Sequence, residues 1–264
     1  MKISLLSIIK KTSVLIVAVS CLIITLFSTV HLIDFLSWIT GDESTATQQQ
    51  QKKHLNEQYY DDPDKLRQLE RDTRLHFIMD IVLLTLFVLQ HSMLATDSVK
   101  SWFSGKGTAI NALQRSFYLL CTSISIELLI MFWHPLDNIV IWRIDALQPY
   151  SQLIKSLAKL LLLVELIVVF DVLEFTGLKQ VYRYIMNMEE KPLFPAHCSY
   201  LQSMRHPNLI GVMLLVWSSH KMTLDLLSIC IFFMSYMFIG HSMPTNDRKA
   251  IGQHWYNLLK WKSN

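Results

Sequence analysis

VELIVVFDVLEFTGLKQVYRYIMNMEEKPLFPAHCSYLQSMRHPNLIG, residues 164–211, is the stretch around which the chain is organised. It opens as an apolar span carrying Glu165, Asp171 and Glu174, leaves the hydrocarbon through Gly177, Leu178, Lys179, Gln180 and Val181, crosses a short aqueous segment and re-enters at Arg205-His206-Pro207. A carboxylate held in hydrocarbon costs about 3 kcal/mol or more unless it is paired or faces a polar cavity. Acids on an otherwise apolar helix therefore point either to a site or to the edge of the bilayer. Asp171 and Glu174, three residues apart, share a helix face and can meet a cation, a partner on a neighbouring helix, or headgroup water.

Composition assigns the class. Of 264 residues 52% are hydrophobic and only 17% charged, with 7 Gly and 7 Pro, and the mean hydropathy is +0.31. That is the balance of an integral membrane protein built from helices. A net charge of +3, with its basic residues scattered between spans, gives no argument for nucleic acid, and the positive charges read as topology signals. Cys21, Cys121 and Cys230 fall inside apolar runs and Cys198 stands alone in a loop, so the cysteines form neither a disulfide frame nor a paired metal motif and read as packing residues.

The chain opens with Lys2, Lys10 and Lys11 and then an apolar run from Ser13 to about Leu36, long enough to cross ~30 Å of hydrocarbon and too long for a cleaved signal. His31 and Asp34 near its far end read as a solvated helix terminus. Residues 40–74 are polar and Gln-rich and cannot bury a core, so they form a loop, with a short surface helix starting at Asp62-Pro63. The second span, Leu75 to Ala95, carries Asp80 and His91; a histidine at that depth is more often a hydrogen-bonded packing group than a ligand. A polar loop follows. The third span, Leu113 to Trp133, contains Glu127 and ends at Trp133-His134-Pro135, where proline stops the helix and the tryptophan is expected to anchor at the headgroups. The fourth span, Leu153 to Phe175, is the acidic one. Beyond Pro207, Asn208–Ser219 and Leu224–Met243 make a tight helical hairpin joined by His220, Lys221, Met222 and Thr223, and the tail reads as an amphipathic surface helix through Ile251, Trp255, Leu258 and Leu259.

The expected fold is an all-α polytopic bundle of about six transmembrane helices. It divides into a first transmembrane helix with a cytosolic N-terminus (1–39), a polar lumenal loop (40–74), a multipass core (75–243) and an amphipathic cytosolic or nucleoplasmic tail (244–264). Lys and Arg set the orientation. Lys2, Lys10, Lys11, Lys100, Lys106, Lys179, Arg183 and the basic tail collect on one side, whereas the short loops of the other side hold Arg143 and Lys221, which places both termini in the cytosol or nucleoplasm. The basic residues of loop 40–74 run against this pattern, but that loop is long and rich in acids, and long loops determine topology weakly. The scattered Asp80, Glu127 and Glu165 do not trace the central path of a channel or transporter.

LFVLQHSMLA at Leu86–Ala95, LQRSFYLLCTS at Leu113–Ser123, WHP at Trp133–Pro135, VFDVLEFTGLKQVYRYI at Val169–Ile185 and MRHPN at Met204–Asn208 occur in that order and resemble the nurim family of multipass nuclear envelope proteins. The resemblance runs from the second span to the tail. It implies six spans, residence in the inner nuclear membrane with the endoplasmic reticulum as the alternative, partners among the lipid bilayer and nuclear envelope membrane proteins, no nucleic acid, and no resident cofactor or established catalysis. The same RHP region is similar to isoprenylcysteine carboxyl methyltransferases and methanethiol S-methyltransferases, in which RHPxYxG, a helical hairpin, an acidic pair and G-x-x-Y hold S-adenosylmethionine. On that resemblance the cofactor-binding positions are Arg205, His206, Gly211 and Tyr256, with Pro207 and Gly252 beside them, and the implied substrate is a thiol or carboxylate on a lipophilic molecule. An arginine and a histidine at a membrane re-entry suit a cofactor carboxylate through charge-assisted hydrogen bonds. The tyrosine position, however, holds Leu209, and Pro244, Thr245, Asn246 and Asp247 stand where the acidic pair belongs. The scaffold is kept, and a natural acceptor for the ribose hydroxyls is missing.

Overall fold

The structure, a computed structural model, describes residues 5–40, 63–103, 108–136, 139–164, 172–188 and 208–240. Nearly all of them are helical. Helix α1 (Leu5–Ile39) is predominantly apolar: Ala18 and Cys21 are buried against the bundle, while Ile16, Ile23, Phe27 and Val30 face outward and stay more than half exposed. A helix this long and this apolar on its outer side is a membrane span. Helices α2 (Pro63–Leu94) and α4 (Ala109–Phe132) are likewise long and apolar enough to cross a bilayer. Between them lies the short α3 (Asp97–Trp102), capped by the Thr96 hydroxyl, which accepts from the Val99 N–H. The chain continues through α5 (Gln148–Val164), α6 (Val172–Phe175), α7 (Leu178–Met186), α8 (Asn208–Trp217) and α9 (Leu224–Gly240). The result is an all-α membrane bundle in which α4 packs against α1 and α2, α8 against α5 and α9, and α7 across one end of α1 and α4.

At the opposite end a two-stranded antiparallel ribbon, β1 (Val140–Arg143) and β2 (Lys221–Thr223), joins the connection after α4 to the connection between α8 and α9. Trp142 faces Met222 and Arg143 faces Lys221, and the Trp142 ring lies tilted against Trp217 with centroids 6.1 Å apart. Ribbon pairing satisfies backbone groups that a bare four-residue helical turn would leave open near the membrane. The hairpin of α8 and α9 is therefore present, but its link is a strand rather than a free turn.

Three further expectations are revised. The surface helix expected at Pro63 is the first part of α2, which runs unbroken to Leu94 because no Gly or Pro interrupts it. Trp133 is no headgroup anchor: it is 7% exposed and meets Phe35 edge to face at 6.0 Å in the core beside the ribbon. Once Pro135 turns the chain back, the indole is folded against α1. The segment leaving the fourth span is also more structured than a simple exit. Its amphipathic helix α7 buries Val181 completely, together with Val14, Ala18 and Ala112.

Gly177 sets the start of α7. Its φ is +83°, and a Cβ there would lie 2.9 Å from Arg115 Cβ and 3.0 Å from Ser116 Oγ. Only glycine takes that conformation at low cost with a helix so close. The contact lets Ser116 donate to the Thr176 carbonyl at 3.0 Å and Arg115 Nε donate to the Phe175 carbonyl at 2.9 Å.

Candidate functional site

Arg205, His206 and Tyr256 lie outside the described residues, as do Pro207, Gly252, Asn246, Glu165 and Asp171. Gly211 is described, and its position is one of close helix contact. A Cβ there would fall 2.6 Å from both Cδ2 and Cγ of Leu162 on α5. Glycine at this position lets α8 and α5 approach, as small residues do between membrane helices.

What the helices enclose is a cavity of about 700 Å³ between α1, α2, α4, α8 and α9. Toward the ribbon it is floored by Phe35, Leu36, Leu84, Leu129 and Ile229, which belong to the main hydrophobic cluster. Toward the α7 end it reaches Lys100, Arg115, Phe175 and Gln180. Its wall includes Val212, within the first turns of the helix that follows Arg205-His206-Pro207. Among the described residues no carboxylate lines it. The bases at its mouth are engaged: Lys100 pairs with Asp97 at 3.2 Å, and the Arg115 guanidinium lies 5.4 Å from the centroid of the Phe175 ring.

Polar side chains interrupt the apolar wall at mid-depth. Tyr118 Oη lies 2.8 Å from His91 Nε2, and the other ring nitrogen of His91 lies 3.3 Å from Thr122 Oγ1. His91 thus serves as a bridge between α2 and α4, the packing role favoured from the sequence. Gln90 Oε1 accepts from Ser125 at 3.0 Å in the same helix interface. His31 is no solvated terminus: its Nδ1 meets Glu127 Oε2 at 2.8 Å, tying α1 to α4. Asp80 is 2% exposed and accepts from the His134 backbone N–H at 3.1 Å, while the His134 ring stacks on His76 at 4.2 Å. Lys155 is equally buried and donates to the Thr40 carbonyl, closing α5 onto the end of α1. A buried ion or ionisable group is tolerable only with such partners. The described His, Cys, Asp and Glu side chains form no group able to hold a metal ion.

Sequence reasoning missed Tyr118, Arg115 and Ser28 as cavity residues. A readable signal existed. Thr25, Ser28 and Thr29 recur at helical spacing on α1, as Tyr118 and Thr122 do on α4, and hydroxyls sharing one face of a membrane helix point inward.

No protein-family model matches the chain, and no solved structure matches it. Among known proteins it is 31% identical to Nurim of Sus scrofa over 182 residues, 65% of this chain and 68% of that protein. It is 33% identical to Nurim of Xenopus laevis over 179 residues, 64% of this chain and 61% of that protein. It is also 31% identical to a methanethiol S-methyltransferase of Crocosphaera subtropica over 187 residues, 69% of this chain and 71% of that protein.

Proposed function

Because the chain belongs to the nurim family, we propose that it is a multipass resident of the inner nuclear membrane whose role is carried by its helices inside the bilayer, without methyl-transfer chemistry of its own. The observation that carries this is the outer surface of the bundle. Helix α1 packs on α4 and α5 on α8, while Ile16, Ile23 and Phe27 of α1 and Ile124 and Met131 of α4 remain uncovered and apolar. Such faces meet lipid or the helices of resident membrane partners, where association rests on packing and interhelical hydrogen bonds. Both termini then lie in the cytosol or nucleoplasm and the ribbon on the lumenal side, and retention resides in the spans rather than in the polar loop of residues 40–74. Fluorescence imaging with recovery after photobleaching tests this. Deleting Thr45–Tyr60 leaves the protein immobile at the nuclear rim, whereas deleting Asn208–Met243 unpacks the bundle and releases it into bulk endoplasmic reticulum. Loss of rim staining in the loop deletion, with the hairpin deletion still at the rim, would assign retention to the loop instead.

A second function, transfer of a methyl group from S-adenosylmethionine to a thiol or carboxylate of a lipophilic molecule, is favoured by one observation. A methanethiol S-methyltransferase aligns over 71% of its length, and the apolar cavity extends to Val212, close behind Arg205-His206-Pro207. The residues present do not complete a cofactor site, however. Arg205 and His206 suit a carboxylate, but Leu209 replaces the tyrosine, no acidic pair is available for the ribose, and the close contact of Gly211 is with Leu162. Fold kinship alone does not carry the chemistry across.

A further inference from the structure

The middle of the cavity is ringed by hydroxyls that the helix contacts do not use up. On α1, Thr25, Ser28 and Thr29 share one face; α4 brings Thr122 and Ser123 opposite them. Most of these groups have already committed their protons. Thr25 donates to the Cys21 carbonyl at 2.8 Å, Thr29 to the Thr25 carbonyl at 2.8 Å and Thr122 to the Tyr118 carbonyl at 3.0 Å, while Ser123 donates to Thr25 Oγ1 at 3.4 Å. What these oxygens present to the cavity is lone pairs. Ser28 differs. It is 1% exposed, lines the cavity, and its Oγ has no hydrogen-bond partner among the described residues. An orphan hydroxyl in a low-dielectric site is costly, and Ser28 borders a space large enough to hold a partner, toward which its Oγ can turn about χ1.

We propose that this cavity binds a neutral lipid alcohol, with its hydroxyl seated on the Thr25–Ser28–Ser123 belt and its hydrocarbon against Phe35, Phe87 and Phe233. A hydroxyl both donates and accepts, so it can take the Ser28 proton while giving its own to one of the surrounding lone pairs. A carboxylate or phosphate only accepts. It would bring its charge onto hydroxyl oxygens that have given their protons elsewhere, and the bases that line the cavity, Lys100 and Arg115, already have partners in Asp97 and in the Phe175 carbonyl and ring. A plain hydrocarbon would leave Ser28 unpaired. The volume, about 700 Å³, falls within the range of roughly 300–1,000 Å³ typical of small-molecule sites. The assignment is independent of any methyl transfer.

The test is photo-crosslinking of the purified full-length protein in lipid nanodiscs with two diazirine probes of identical chain, one a long-chain alcohol and the other the matching fatty acid. Adducts are mapped by peptide mass spectrometry. The alcohol labels cavity-lining peptides of α1, α2 and α4 saturably, unlabelled alcohol competes it away, and the acid labels those peptides at least tenfold less. Ser28→Ala weakens the alcohol by about fivefold, the loss of one hydrogen bond, and Ser28→Thr restores it. Any of three results overturns the assignment: labelling confined to outward-facing peptides or not competed by the alcohol, equal labelling by the acid, or a folded Ser28→Ala protein that binds like wild type. Should Ser28→Ala fail to fold, the wild-type peptide map and the alcohol-to-acid ratio still decide.

Discussion

Gly211→Ala and Leu162→Ala, made singly and together, separate a packing role for Gly211 from a ligand-binding one. A Cβ at position 211 would sit 2.6 Å from two carbons of Leu162, a residue only 7% exposed. Carbon atoms in good contact lie about 3.5–4.0 Å apart, so roughly 1 Å of overlap must be relieved by moving the Leu162 side chain or parting α8 from α5. Overpacking of this kind costs about 1–3 kcal/mol. Alanine in place of glycine within a helix returns about 1 kcal/mol, which leaves a net loss of about 0–2 kcal/mol for Gly211→Ala. Leu162→Ala empties its site and costs about 2–5 kcal/mol. In the double variant the new methyl occupies part of the emptied space, so the combined loss falls short of the sum by about 1–2 kcal/mol. The assay is reversible unfolding in mixed micelles, followed by helicity and tryptophan fluorescence. Additivity within about 0.5 kcal/mol would refute the contact between these helices.

Gly177→Ala is a different kind of substitution, because its cost lies in the backbone as well as in the clash. The φ of +83° and the approach to Arg115 Cβ and Ser116 at 2.9–3.1 Å persist whatever neighbouring side chain is trimmed, so the variant loses about 2 kcal/mol or more, and Arg115→Ala does not rescue it in the same unfolding assay. Glycosylation acceptors introduced singly near Gln50 and near Asp137 are modified in the lumen, and one placed after Lys260 is not; a glycosylated tail would reverse the orientation derived from the basic residues.

Much of the fold was legible in the sequence because membrane helices obey one strong rule. Backbone groups in hydrocarbon must be satisfied within the segment, so long apolar runs become helices, and α1, α2, α4 and the α8–α9 pair stand where such runs stand. The ribbon was not legible. Val140–Arg143 and Lys221–Thr223 are too short to show a strand period, and they pair across some eighty residues of chain. Trp133 misled for a related reason. Tryptophan at a helix end usually marks the headgroups, and only the return of the chain after Pro135 places it against Phe35. The cavity was half legible: the hydroxyl spacing on α1 and α4 could be read from either helix, but their meeting around an empty volume depends on how α1, α2 and α4 pack. His31 and Glu127 show the same limit, since each looks like an isolated polar residue until the two helices touch. Arg205, His206 and Tyr256 rest on resemblance and lie outside the described residues.

The most direct test of the central claim, a methyltransferase-like membrane scaffold without a working cofactor site, is a calorimetric titration of the purified protein with S-adenosylhomocysteine. The absent carboxylate predicts binding weaker than about 1 mM in the wild-type protein, with Asn246→Glu, which restores an acceptor where the related enzymes carry their acidic pair, tightening it. Tight binding by the wild-type protein that Arg205→Ala abolishes would contradict the claim and establish the chain as an S-adenosylmethionine-binding protein.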